Sequence, residues 1–256
     1  MLQETADRLM NKVRDDYDDI ADAFSASRTD LWPEMERFRS FVKPGDRVLD
    51  IGCGNGRAYQ LFEGQAIEYE GVDVSSRLIA LARERIHDML ATFRTGSVTK
   101  LPYEDGDFDL AICVAVLHHV PSHAYRLAAV REASRVLKPG GRLLMTNWDR
   151  WKPRYWKEHL KAGAAKLFRR SPYDFKDIFI RWDRGGKQVD RYYHAFTRRE
   201  MASLCREAGL IVEENYYVAK GVRVPWWKGD NLITICKKPT AAVRVDLADA
   251  RLELRG

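Results

Sequence analysis

Apolar side chains recur at steps of three and four through Leu9, Val13, Tyr17, Ile20 and Phe24. That spacing puts them on one face and predicts an opening helix. Pro33 suits a first helical turn and starts a second helix, with Phe38, Phe41 and Val42 as its buried positions, ended by the Lys-Pro-Gly-Asp of 43–46. The period then changes. Residues 47–52 read as a strand, followed by a glycine turn and a helix through Phe62; residues 69–74 read as the next strand. Ser75 and Ser76 are caps for a third helix, and residues 93–96 and 108–116 supply two more strands. A helix over 121–137 and a strand over 141–147 complete the series.

Apolar strands separated by helices predict a parallel sheet covered on both faces. The fold class is α/β, doubly wound, with a mostly parallel seven-stranded sheet of the Rossmann-like kind, whose ligand sits at the carboxyl ends of the strands. Residues 149–199 interrupt the alternation. A helix over 198–208 and two late apolar runs, 210–218 and 231–237, form the antiparallel edge. One domain over 1–240 is expected: N-terminal helices on the substrate side (1–42), a core that binds the ligand (43–148), an insertion (149–199) and a C-terminal helix with strands (200–240). The 241–256 tail reads as peripheral, with a short helix.

Composition narrows the class. With 45% hydrophobic residues in 256, the chain is too apolar for disorder and long enough for a sizeable core. Its longest unbroken apolar run, 110–117, is far short of a membrane span, and residues 1–19 are charged throughout, without the apolar core of a signal peptide. Cys53, Cys113, Cys205 and Cys236 lie far apart with no CxxC pair, so neither a disulfide framework nor a metal site is indicated. A cytoplasmic protein with no membrane association is the expectation.

The strongest motif is Val48-Leu49-Asp50-Ile51-Gly52-Cys53-Gly54-Asn55-Gly56, a strand running into a GxGxG turn. Glycines let a ligand approach the backbone closely. An acid at Asp50 would repel a pyrophosphate but orders an ammonium group, and Asp73 is placed to accept hydrogen bonds from two ribose hydroxyls. An amino-acid-bearing nucleoside therefore fits better than a dinucleotide. With residues 101–120 (LPYEDGDFDLAICVAVLHHV) and 135–145 (RVLKPGGRLLM), the stretch 42–148 resembles the class I S-adenosylmethionine-dependent methyltransferases. The resemblance implies S-adenosyl-L-methionine as cofactor, held by Asp50, Gly52, Cys53, Gly54, Gly56, Asp73, Val74, Ser97, Val98 and Val114. Where that family usually offers an acid to the adenine, Gly96 is followed here by Ser97. Its hydroxyl is the expected substitute, with Asp105 or Asp107 as alternatives.

The flanks carry a closer resemblance. Residues 17–28 (YDDIADAFSASR) with Leu31-Trp32-Pro33, then Arg191-Tyr192-Tyr193-His194-Ala195-Phe196, then Gly229-Asp230-Asn231 look like the wobble-uridine tRNA carboxymethyl methyltransferases, which esterify 5-carboxymethyluridine at the anticodon. The likeness is traceable over residues 9–237, with a gap in the insertion. A carboxylate acceptor is already ionised at neutral pH and needs positioning more than a general base. Arginine forks suit it, so Arg28 and Arg191 are the candidate clamp. His119, Tyr193 and His194 are candidate uridine contacts, while His118, Tyr192 and Phe196 read as packing. The resemblance also implies a small zinc-binding activator over an apolar sheet edge.

The formal charge of +6 is concentrated in residues 149–199, where 15 Lys and Arg against 6 Asp and Glu give +9 and leave −3 elsewhere. The same segment holds 11 of the 28 aromatics. Cations that contact phosphate and rings that stack on unpaired bases suit a tRNA anticodon loop. Lys152, Arg154, Lys157, Lys161, Arg169, Arg170 and Arg181 are the candidate RNA contacts. Three alternatives stand beside that reading: an amphipathic helix with its aromatics on the core, a small-molecule methyltransferase lidded by the insertion, and a non-catalytic RNA-binding protein on the same fold.

Overall fold

Strand β1 (Arg47–Ile51) is buried from Val48 to Ile51 because both of its faces are covered. Val48 packs into one hydrophobic layer with Met35, Phe38 and Phe62, and Leu49 into the other with Phe108, Val130 and Leu204. A computed structural model describes residues 1–168 and 171–240. Arg169, Arg170 and the expected tail over 241–256 lie outside the described residues.

The remaining strands are β2 (Glu68–Asp73), β3 (Ala91–Thr95), β4 (Phe108–Val114), β5 (Leu137–Trp148), β6 (Asp177–Arg184), β7 (Lys187–His194), β8 (Ile211–Ala219), β9 (Val222–Val224) and β10 (Asn231–Lys237). The main sheet runs β3-β2-β1-β4-β5-β10-β8-β9. Its first five strands are parallel, and β10 inserts antiparallel between β5 and β8. The seven expected strands are present, with the short β9 added as a hairpin on the outer edge. Chain order reverses between β1 and β4, which opens a crevice at their carboxyl ends.

The α-helices are α1 (Gln3–Asp19), α2 (Ala21–Ala26), α3 (Ser76–Arg85), α4 (His123–Val136), α5 (Trp156–Leu167) and α6 (Arg198–Glu207). Ser75 caps α3 by accepting from the amide of Leu78 at 3.1 Å, and its own hydroxyl donates to Asp18 at 2.6 Å, which ties α1 to the core. Two expected helices are 3₁₀ instead, Pro33–Phe41 and Arg57–Leu61. In the first, Met35, Phe38 and Phe41 recur every three residues, the period of a 3₁₀ turn; Met35 and Phe38 are buried, and Phe41 and Val42 only half-buried.

The insertion contains α5 and a separate β6–β7 hairpin closed by Gly185-Gly186, both at positive φ (+60° and +73°) as a two-residue hairpin turn requires. Among the described residues no helix is long and apolar enough to cross a membrane.

Candidate active site

The crevice opens into a cleft of about 880 Å³ that includes its open mouth. Its floor is the turn after β1. Asp50 is buried and its Oδ2 accepts from the Tyr69 hydroxyl at 2.6 Å; Oδ1 has no partner among the described residues. Burial pushes its carboxyl up to about 7, against the opposing hydrogen bond from Tyr69. Asp73, at the end of β2, accepts from the backbone amides of Gly54 (2.9 Å) and Ser75 (2.9 Å), one on each oxygen. Burial still raises it. Each oxygen keeps a lone pair, so this end of the cleft can take an ammonium group at Asp50 and a pair of hydroxyls at Asp73. Gly54 sits at φ +56° with nothing within 4 Å of where a Cβ would stand.

Gly52, Cys53, Val74, Val98 and Val114 also line the cleft. Two other expected cofactor residues do not. Gly56 backs onto Ile86 and Phe93, where a Cβ would meet Ile86 Cδ1 at 2.6 Å. Ser97 turns its hydroxyl to Thr99 at 2.9 Å, while its neighbour Val98 faces the cleft. The alternatives are engaged as well, Asp105 with Arg135 and Asp107 with Arg47. The strained backbone of Ala115 (φ +59°) lies in the wall, a feature no sequence pattern marks.

The other end of the cleft is built by the flanks. Val13, Tyr17 and Phe24 of the α1–α2 stripe line it, together with Arg28, Trp32, His119 and Trp148. The Nδ1–H of His119 donates to the Tyr192 carbonyl at 2.8 Å, so Nε2 is left to accept the Tyr17 hydroxyl at 2.9 Å. Burial, with the charge of Arg191 second, pushes this imidazole down to about 3, so it is neutral.

Arg191 and Arg150 are each 6% exposed. Arg191 Nε and Nη1 and Arg150 Nε have no hydrogen-bond partner among the described residues, and neither has the buried Tyr193 hydroxyl. Arg150 packs over Trp148 (4.2 Å), Tyr193 (4.4 Å) and Tyr155 (4.8 Å), and Arg191 over the first two of those rings at 5.7 and 5.5 Å. Arg28 reaches Trp148 at 5.7 Å. Burial lowers Arg28 and Arg150, and Arg191 lowers both further by repulsion. No carboxylate pairs with any of the three among the described residues. Three guanidiniums around one tryptophan make a receptor for an anion.

Strand alternation sorts the RYYHAF motif. Arg191 and Tyr193 lie behind the cleft residue Trp148 without lining the cleft themselves, Tyr193 stacked on Trp148 and His118 and Arg191 packed over Trp148 and Tyr193; Tyr192 and His194 point away. His194 is therefore not a uridine contact. It is buried between Asp177 (2.7 Å) and Glu200 (2.8 Å), and Tyr192 donates to the same Asp177 at 2.8 Å. Phe196 is core. Tyr17, Trp148 and Arg150 were missed by sequence reasoning. Tyr17 was visible only as part of an apolar stripe, and Arg150 only as one cation in a basic segment.

The candidate RNA cations fall into two groups. Lys152 is ion-paired with Asp230, Arg154 stacks on Tyr155 at 4.8 Å, and Arg181 donates to Gln188. Lys157 and Lys161 are exposed on α5, which has no buried residue. Of the tryptophans in the insertion, Trp182 is buried, and Trp151 stacks on His159 while its indole donates to the Ala195 and Phe196 carbonyls. Trp156 is 56% exposed.

Residues 49–145 match the family model described as a methyltransferase domain. An Encephalitozoon cuniculi protein, named provisionally as a methyltransferase, is 31% identical over 197 residues, covering 77% of this chain and 85% of that one. The tRNA (carboxymethyluridine(34)-5-O)-methyltransferase of Xenopus tropicalis is 27% identical over 245 residues, 78% of this chain. This chain spans 38% of that relative's length, and 31% of the Arabidopsis thaliana protein of the same name. A solved SAM-dependent methyltransferase of Methanosarcina mazei superposes with a TM-score of 0.67 at 23% identity, covering 82% of this chain and 99% of that one. A Haloferax volcanii chain solved with its Trm112 methyltransferase activator gives 0.61 at 19% identity, covering 87% and 97%. Both likenesses carry the fold alone. By its domain match, its Encephalitozoon relative and its strand order, the chain belongs to the methyltransferase family, in the class I S-adenosylmethionine-dependent architecture.

Proposed function

We propose that this chain transfers a methyl group from S-adenosylmethionine to the carboxylate of a carboxymethyl-type wobble uridine in tRNA. The carrying observation is the anion receptor: Arg28, Arg150 and Arg191 converge beside His119 with no carboxylate among the described residues to neutralise them. When bound, S-adenosylmethionine supplies an electrophilic sulfonium methyl. Asp50 would hold its ammonium group and Asp73 its ribose hydroxyls, which fits the buried unpaired Oδ1 and the open lone pairs found there.

The chain's own part is positional. Arg28 and Arg191 fork the acceptor carboxylate, and neutral His119, fixed by Tyr17, lies against the uridine. The apolar walls exclude water. No proton has to be removed, which agrees with an imidazole too weak to serve as a base at neutral pH. The names of the frog and plant relatives support this acceptor. Carboxymethoxyuridine would place the same demands on the receptor.

We also propose a small zinc-binding activator on edge strand β3, next to the exposed Met89 (96%) and Leu90 (50%). The Haloferax complex supports a partner of this kind. The decisive experiment is nucleoside mass spectrometry of tRNA from a strain lacking the gene. The ester should disappear and the free carboxymethyl nucleoside accumulate; an unchanged ester level removes the proposal.

A further inference from the structure

We infer that Trp226 and Trp227 form a platform on which unpaired bases of an RNA stack, in the connection between β9 and β10. The inference rests on the tRNA reading above and extends it to a surface outside the catalytic end. The two indoles follow one another in a short 3₁₀ turn, Trp226–Lys228, and are 52% and 55% exposed. Two adjacent tryptophans held in water leave a large apolar area unused by the fold. Their planes stand at 88° with centroids 5.8 Å apart, so they do not stack face to face and each keeps ring surface free.

The mount is rigid although the rings are exposed. Gly229 lies so close to Tyr217 that a Cβ would meet that side chain at 2.9 Å, and the amide of Asp230 donates to the Val218 carbonyl at 2.7 Å. Asn231 donates to Glu34 and sits opposite Trp148 in the β5–β10 register. Trp148 in turn lines the cleft, and Gly221, at the β8–β9 turn, packs on Pro33 beside cleft residue Trp32. The platform therefore stands on the residues that build the acceptor end.

Charge decides the occupant. Lys220 and Lys228 are exposed, and neither makes an ion pair among the described residues; Arg223 stacks on Tyr216 at 3.9 Å and is ion-paired with Glu214. Asp230, the one acid of 220–230, is taken by Lys152, the lysine near the start of the basic insertion. Aromatic faces framed by Lys220 and Lys228, continuous with a +9 segment, fit the bases and phosphates of a single-stranded loop.

The test uses the full chain with Trp226→Ala, Trp227→Ala and Trp→Phe at each position. Affinity is measured for an unmodified anticodon stem-loop RNA, for S-adenosylhomocysteine and for anionic vesicles. Each alanine variant should bind the stem-loop about tenfold more weakly, in the range of one lost base–aromatic stack. The phenylalanine variants should retain most of the affinity, and S-adenosylhomocysteine binding should not change. Equal stem-loop affinity in the alanine variants overturns the platform, as does a loss confined to vesicle binding. If the variants lose RNA affinity but the unaltered protein transfers no methyl group to tRNA, the platform stands and the esterification reading falls.

Discussion

The hydroxyl of Tyr17 donates to Nε2 of His119 across 2.9 Å, while Nδ1–H of the same ring is held by the Tyr192 carbonyl at 2.8 Å. One imidazole thus joins α1, the segment after β4 and strand β7. Tyr17→Phe leaves a buried acceptor unpaired, at a cost of about 1 kcal/mol in stability. On the proposed acceptor reading the His119 ring also loses its fixed orientation, so kcat should fall about tenfold, equivalent to ~1.4 kcal/mol of barrier. S-adenosylhomocysteine affinity should hold. Calorimetric melting and single-turnover methylation check both; an unchanged kcat would remove His119 from the acceptor site.

Cofactor binding should depend on pH through Asp50. Its carboxyl titrates at about 7 in the free protein, and an ammonium ligand binds the ionised form. Affinity for S-adenosylhomocysteine should therefore be level above pH 7 and fall about tenfold for each unit below it. Asp50→Asn should bind weakly with a flat profile. Titration calorimetry from pH 5.5 to 8.5 decides the matter, since a flat profile in the unaltered protein excludes the contact.

The arginine receptor predicts unequal tolerance. Arg191→Lys keeps the charge and loses the fork, so kcat/KM for tRNA should fall at least about tenfold; Arg191→Ala removes about 2–5 kcal/mol of transition-state binding. Arg150→Met keeps the packing under Trp148 and Tyr193 and discards the charge. Its effect should fall on the acceptor and not on the cofactor. Equal activity of Arg150→Met would restrict the receptor to Arg28 and Arg191.

Elements with a strict period were legible in the sequence. The β1 turn motif, Asp73 and the parallel strands follow from local rules, because a buried strand must be apolar and a turn that approaches a ligand needs glycine. Legibility stopped where tertiary contacts choose between neighbours. Tyr193 and His194 look alike as a pair, and only the pairing of β7 with β6 shows which one faces Trp148. Of the neighbours Ser97 and Val98, both expected at the cofactor, only Val98 lines the cleft, for a similar reason. Arg150 is one of fifteen cations in its segment, and one of the three rings that bury it, Tyr193, comes from a distant strand.

His194 should prove a stability residue. Breaking its buried pairing with Asp177 and Glu200 by His194→Ala should cost about 3–5 kcal/mol, with kcat at low temperature unchanged. Burial opposes ionisation of Glu200, but His194 and Lys176 outweigh it and bring the carboxyl down to about 2, from an ordinary 4.5. The folded value is depressed, so this stability is complete above about 4.5 and is lost as the pH falls toward 2. Acid melts of the two proteins should converge in that window. Loss of kcat with an unaltered melt would return His194 to the active site.

Lys157 and Lys161 should appear in the salt dependence. Each phosphate contact removed from a single strand lowers the slope of log affinity against log salt by ~0.7. Lys157→Glu with Lys161→Glu should flatten that slope and leave cofactor binding alone. An unchanged slope would leave α5 outside the RNA footprint.

Asn55, inside the glycine turn, donates to the Ser25 hydroxyl at 2.9 Å and to the Arg28 carbonyl at 3.3 Å, and Arg57 reaches the Asp30 carbonyl at 2.7 Å. The glycine turn on the cleft floor and the segment that carries Arg28 are thereby one hydrogen-bonded piece. Any ordering of the turn on cofactor binding reaches Arg28 through two side chains. Thermodynamic reciprocity then requires that whatever factor the cofactor adds to acceptor affinity, the acceptor returns to the cofactor. If the proposed esterification holds, the product loses the charge that Arg28 grips, and the same coupling then lowers the hold on the spent cofactor.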